Sequence, residues 1–234
     1  KARNFFMEID KDSDLKVNAE FFTGITFVRQ RQAKPASKAF LKIVDRYDGK
    51  LFLDPEEERF LDLAWISLAR IYYSTKHWDS AIAAWNKIPQ SSEYYLDAQF
   101  EESWAYFQID NFARALGNIH TLNSPYFEES FYPESVILKA VIFFDMCLYD
   151  DAKMVVDQFR SDFEPVKEQL EVSLKQFQDN TQFFEFMRKL RQADKEGDLD
   201  DTGEGMIMGL PRDVFSVVKG ALDDRTLLRN LEYV

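Results

Sequence analysis

Three alanines constrain this chain more than any other feature. Ala81 and Ala115 lie 34 residues apart, and Ala115 and Ala152 lie 37 apart. Each follows an aromatic residue by three positions (Trp78, Phe112, Tyr149), and each has a small residue twelve positions before it (Ala69, Ser103, Ala140). Within one copy, Trp65, Leu68, Ala69 and Tyr72 recur at helical spacing. A polar break follows at Ser74–Lys76, and Trp78, Ala81, Trp85 and Ile88 resume the spacing. Apolar residues returning every three or four positions place one helix face against a core. Two such segments joined by a short break predict an antiparallel helix hairpin, with small residues where the backbones approach. One hairpin cannot bury its apolar face alone. Copies near a period of 34 therefore predict stacked hairpins sharing a core, which is a helical solenoid.

A first copy is predicted from Val17, where Gly24, Phe27, Ala36, Phe40 and Ile43 echo the pattern. Gly24 is expected where two helices pack closely, and Pro35 in the first turn of the second helix. Ala36 precedes Ala81 by 45 residues, so an insertion of about ten residues separates the first two hairpins. Asp48-Gly49 marks a turn there, and Asp54-Pro55-Glu56-Glu57-Glu58 carries the capping and acidic signals of a helix start. The third hairpin runs from Tyr95 to Leu122 with its turn at Asp110-Asn111. The fourth opens at Tyr132-Pro133-Glu134 and turns near Leu148.

Four hairpins thus occupy residues 17–160. Residues 1–16 form an N-terminal segment whose Phe5, Phe6 and Ile9 can share a helix face. Its series Asp10, Asp12, Asp14 is no calcium loop, because Leu15 and Phe21 stand where that loop needs Gly and Glu. Residues 161–193 read as capping helices, the first starting at Pro165. The acidic, Gly-rich run 194–209 reads as a flexible loop. Residues 210–234 form a C-terminal helical segment, with Val214, Val217, Val218, Ala221 and Leu222 on one face and Leu227, Leu228 and Leu231 on a second.

In order and spacing, Trp65, Leu68, Ala69, Tyr72, Ala81 and Trp85 resemble the tetratricopeptide repeat family, and the likeness covers residues 17–160. The stretch FYPESVILKAVIFFDMCLYDDA is also similar to exported repeat proteins of predatory and gliding deltaproteobacteria. The first resemblance implies an all-α, right-handed α-solenoid of antiparallel hairpins with capping helices. It also implies that ligand-facing positions lie on the first helix of each hairpin. These are Asn18, Phe21, Ile25 and Val28, then Leu63, Ile66, Arg70 and Tyr73. The third set is Asp97, Phe100, Trp104 and Phe107, and the fourth Glu134, Ile137, Val141 and Phe144.

Composition narrows the function. The net charge of −12 disfavours nucleic acid and anionic membranes. No apolar run is long enough to span a bilayer, so no membrane insertion is expected. The lone Cys147 excludes an internal disulfide and is expected as a buried structural thiol. His77 and His120 fall in different repeats, so no metal or other cofactor is expected. No serine sits in a nucleophile elbow and no Gly-rich phosphate loop occurs. The acid pairs Glu101-Glu102 and Glu128-Glu129 point apart on a helix. No catalytic residue and no enzymatic activity are therefore expected. The chain begins at Lys1, which reads as a trimmed or mature form, and an exported or periplasmic location is favoured over the cytoplasm.

The implied ligand-facing set is unusually apolar, and a contiguous apolar patch facing water signals binding. The expected activity is a protein-interaction scaffold. It takes a protein or peptide segment in a concave groove lined by Phe21, Ile25, Ile66, Arg70, Tyr73, Phe100, Trp104, Phe107, Ile137 and Phe144. Arg70 pairs either with a ligand carboxylate or with Asp97 or Glu101 on the next repeat. The competing reading is a structural subunit of a cell-envelope or motility complex, whose groove is filled by Phe5-Phe6 or by the helix around Val214–Leu222. Lys34, Lys38 and Lys42 form one basic edge, open to an acidic partner or simply solvated.

Overall fold

The structure, a computed structural model, describes residues 2–10, 13, 15–127, 132–177, 179–197 and 206–222. It is all-helical apart from one small hairpin of strands, and helices adjacent in sequence pack on one another. The chain divides into two compact units, Lys1–Leu122 and Asn123–Val234. The division falls inside the stretch read as one array, leaving three hairpins in the first unit and the fourth in the second.

The first unit contains α1 (Ala2–Glu8), α2 (Lys16–Arg29), α3 (Ala33–Tyr47), α4 (Pro55–Ser74), α5 (Trp78–Trp85), α6 (Tyr95–Gln108) and α7 (Phe112–Leu122). Each packs on the next, and α2 also touches α4. Asp54 caps α4 as its sequence predicts. Its Oδ1 accepts from the amides of Glu56 and Glu57, both at 2.9 Å, and Glu57 Oε2 accepts from the Asp54 amide at 3.1 Å. Two apolar clusters form the core. One joins Val17, Phe21, Phe40, Ile43, Ala64 and Leu68, and the other Ile66, Ala69, Ala81, Trp85, Ile88 and Ala105. Gly24 lies against Phe40 as expected, since a Cβ there would meet the ring's Cε1 and Cζ at 2.6 Å.

The second unit contains α8 (Pro133–Asp145), α9 (Tyr149–Leu174), α10 (Asn180–Glu196) and α11 (Arg212–Leu222), after a 3-10 turn at Pro125–Phe127. Between α10 and α11, β1 (Met206–Ile207) pairs antiparallel with β2 (Leu210–Pro211). Met208 and Gly209 both have positive φ, 52° and 79°, as a two-residue hairpin turn of the mirror-image type requires. This corrects the reading of 206–209 as loop. Strands of two residues are too short to leave a periodic signature, and 198–205 lie outside the described residues.

A second correction concerns Pro165, which lies inside α9 rather than opening a new helix. Proline removes one backbone hydrogen bond in a helix interior, yet 26 residues run through without a break. The face of α11 that carries Val214 and Val218 buries against α10, joining Met187, Leu190, Leu210 and Phe215 in a third cluster. Leu227, Leu228 and Leu231 lie outside the described residues.

The four predicted hairpin turns share one backbone design. Arg31, Lys76, Asp110 and Cys147 all adopt left-handed φ, between 57° and 61°. The next residue's amide reaches back five positions in each case: Gln32 to Phe27 O, His77 to Tyr72 O, Asn111 to Tyr106 O and Leu148 to Phe143 O, at 2.9–3.0 Å. That six-to-one bond is the Schellman closure of a helix end. The residue carrying the donor then opens the second helix, accepting from Ala36, Ala81, Ala115 or Ala152 at 2.9–3.1 Å. The first hairpin obeys the same rule as the others. Its wider spacing arises in longer helices rather than in an insertion between hairpins: α3 (15 residues) and α4 (20) exceed α5 (8) and α6 (14), while the connection at 48–54 is shorter than that at 86–94.

Candidate functional site

The first helices of the second and third hairpins carry residues at matching positions. Arg70 and Trp104 each precede their hairpin's alanine by eleven, and Tyr73 and Phe107 by eight. Because α5 packs between α4 and α6 in the sequential order, these side chains meet around a hollow of ≈ 420 Å³. Arg70 and Tyr73 line it from α4, Trp85 from α5, and Glu101 and Trp104 from α6.

Its floor is an ion pair with an aromatic backing. Arg70 Nε donates to Glu101 Oε1 at 2.9 Å and to Oε2 at 2.8 Å, and Nη2 also donates to Oε1. Trp85 Nε1 adds a hydrogen bond to Oε2 at 3.3 Å. The fork of the guanidinium matches two carboxylate oxygens at once, which fixes both side chains. Burial works to lower the Arg70 pKa. The hydrogen bond and charge of Glu101, with the charge of Asp97, outweigh it, so the net displacement is upward. Tyr73 stands edge-on to Trp78 at 4.9 Å and tilted to Trp85 at 6.0 Å, and burial raises its phenol pKa. Trp104 meets Phe107 edge-on at 6.1 Å, and Phe107 meets Phe112 at 6.0 Å. The wall is thus a run of fixed rings, half open to water.

The expected groove residues divide into three groups. Arg70, Tyr73 and Trp104 come together at the hollow, while Phe100 and Phe107 lie half-buried on α6. Phe21 and Ile66 do not face an opening. Phe21 is buried against Phe40 and Phe60, and Ile66 is 1% exposed in the second core cluster, because neighbouring helices close over both positions. Ile25 is half-buried against the first cluster. Ile137 and Phe144 belong to the second unit, 49% and 65% exposed on α8 with Val141 between them. Trp85 was expected only as core. Its indole N–H, which must find an acceptor when buried, was the available signal that it also addresses Glu101.

Other expectations resolve locally. Glu101 and Glu102 do point apart. Glu102 is 2% exposed and accepts from Asn118 Nδ2 at 2.7 Å and from Asn86 Nδ2, tying α5, α6 and α7 together. Burial raises its pKa, against the lowering effect of hydrogen bonds from Asn118, Tyr106 and Asn86. Glu128-Glu129 lie outside the described residues, as do Asp12 and Asp14. Cys147 is exposed, not buried, because it occupies the left-handed position of the fourth turn, outside either helix. His77 sits in the second turn with Nδ1 3.0 Å from Thr75 Oγ1, and His120 is exposed on α7. Among the described residues, no three His, Cys, Asp or Glu side chains converge as metal ligands. No helix among them is long and apolar enough to cross a membrane.

A second hollow of ≈ 450 Å³ lies along Asp150, Lys153, Met154, Asp157, Gln158 and Ser161. All of its lining comes from one face of α9, so it lacks the opposing wall that α4 and α6 give the first. Neither a protein-family model nor a curated protein matches this chain.

Proposed function

We propose that the chain is a non-enzymatic protein-interaction module, a tetratricopeptide-like α-solenoid that holds a partner's segment against α4 and α6. The observation that carries this reading is the hollow at Arg70, Tyr73, Trp85, Glu101 and Trp104. It is walled by aromatic rings, held by a bidentate ion pair and, at ≈ 420 Å³, in the size range of ligand-binding clefts. Binding anchors are commonly aromatic residues in fixed pockets, and rigid rings lose little conformational entropy on binding. The shared Schellman turns of the four hairpins support the repeat reading. Chemistry is not part of this proposal, because Glu101 is engaged by Arg70 and Trp85 and no nucleophile lines the hollow.

The test is selection from a random peptide display library on immobilised protein, followed by binding of the enriched sequences to Trp104→Ala and Tyr73→Ala variants. Enriched peptides sharing an apolar anchor, with affinity lost in Trp104→Ala, support the reading. No enrichment, or equal binding to the variant, overturns it.

The second reading is a structural or assembly subunit with a self-covered surface. It draws on α1, which packs on α2 with Phe6 stacked 5.9 Å from Phe22. Deleting residues 1–10 decides between the two. Under the second reading, peptides would bind only after the deletion.

A further inference from the structure

We propose that Lys34, Lys38 and Lys42 on α3 form a docking ridge for an acidic protein segment, separate from the hollow. The three are exposed and recur once per helical turn, covering about 12 Å of helix surface. Arg29 and Arg31 continue the positive surface into the preceding turn, also exposed. The surroundings make the ridge unusual. The chain carries 41 acids against 29 bases, yet no acid falls between Arg29 and Lys42, and cations elsewhere find carboxylates. Arg46 pairs with Glu20, Lys50 with Glu57, Arg59 with Glu93, Arg70 with Glu101 and Lys87 with Asp48. None of the ion pairs among the described residues engages Lys34, Lys38 or Lys42.

Helix stability does not explain this arrangement, and works against it twice. Like charges four residues apart repel along a helix. Cations near a helix N-terminus oppose the macrodipole, and the first turn of α3 holds no acid to offset them. A surface that costs local stability, in a chain with acids to spare, is explained by a ligand that supplies the missing negative charge. The overall charge of −12 repels a long polyanion such as nucleic acid or an anionic bilayer. A short acidic segment touches only the ridge and escapes that repulsion. Lysines 6 Å apart along the axis, at about 1.5 Å per residue, match carboxylates placed every fourth residue of a helix.

The experiment measures binding of a fluorescent sixteen-residue peptide with Glu at every fourth position and Ala or Gln between. The probes compared with it are a single-stranded DNA of equal charge and phosphatidylserine vesicles. The intact chain should bind the peptide at low ionic strength, and a Lys34→Gln/Lys38→Gln/Lys42→Gln variant should bind at least fivefold more weakly. Trp104→Ala should bind as the parent does. No binding of the peptide, or binding unchanged in the triple variant, overturns the proposal. Tighter ridge-dependent binding of the DNA or the vesicles overturns the assignment to protein. The three lysines are exposed, and a circular dichroism melt of the variant confirms that the helices persist.

Discussion

Gly24→Ala should destabilise the first unit, although alanine is the better helix former. The conflict can be worked from the structure. In an isolated helix the change gains about 1 kcal/mol. At position 24 the new Cβ falls 2.6 Å from Phe40 Cε1 and Cζ and 3.1 Å from Cδ1, where ordinary carbon contact needs about 3.5 Å or more. The Phe40 ring would have to retreat by roughly 1 Å. It is wholly buried in the first apolar cluster with Ile43, Ala64 and Leu68, so it has little room to retreat. Overpacking a filled core costs about 1–3 kcal/mol. An overlap this large against a fully buried ring belongs in the upper half of that range, leaving a net loss of about 1–2 kcal/mol.

Urea unfolding followed by tryptophan fluorescence reads this directly, because Trp65, Trp78, Trp85 and Trp104 all lie in the first unit. Two controls fix the cause. In a Phe40→Leu background the clashing ring atoms are gone, so Gly24→Ala should turn stabilising by up to about 1 kcal/mol. Gly117→Ala on α7, where nothing lies within 4 Å of the added Cβ, should stabilise the parent by a similar amount. If Gly24→Ala proves neutral or stabilising in the parent, or its sign does not reverse with Phe40→Leu, the close approach of α2 and α3 does not govern this position.

The helix hairpins were legible because their signal is redundant. Three of the four carry an aromatic, a small residue and an alanine at fixed offsets. The first copy was harder to see because Ala33 stands in the aromatic place and the longer α3 and α4 shift its spacing, while its Gln32-to-Phe27 turn is the same as the rest. Pro165 misled because proline favours a helix start, and only tertiary context shows that it sits within a longer helix. Site residues were partly legible for a related reason. Position within the repeat says which stripe faces away from the partner helix in the hairpin, and it located Arg70, Tyr73 and Trp104. It does not say which members of the stripe the next hairpin covers, so Phe21 and Ile66 fell to the core. That depends on how closely neighbours pack, which no local pattern encodes.

Three further predictions concern the cap, the buried acid and the turns. Asp54→Ala removes the side-chain half of the α4 capping box, leaving the amide of residue 54 to Glu57, and should cost about 1 kcal/mol in urea unfolding, whereas Asp54→Ser should recover most of it. Glu102 has a folded pKa raised by burial, so between its unfolded and folded values the native state holds a proton that the unfolded chain has lost. Stability therefore falls as pH rises through that window, and Glu102→Gln should lack this fall; parallel stability–pH curves for the two proteins would refute it. The turns make the sharpest case, because four residues of different type share one conformation. A side chain in left-handed φ costs about 1–2 kcal/mol, and glycine avoids that cost while losing about 0.5–1 kcal/mol to its freedom in the unfolded chain. Glycine at Arg31, Lys76 or Cys147 should therefore stabilise by up to about 1 kcal/mol. At Asp110 the gain should be smallest, since aspartate tolerates this region best of the four. Equal gains at all four would mean that aspartate has no advantage in this region, and losses at Lys76 would mean that the side chain itself holds the turn. The shared backbone bonds from Gln32, His77, Asn111 and Leu148 argue against that, because they involve no side-chain atom at any of the four positions.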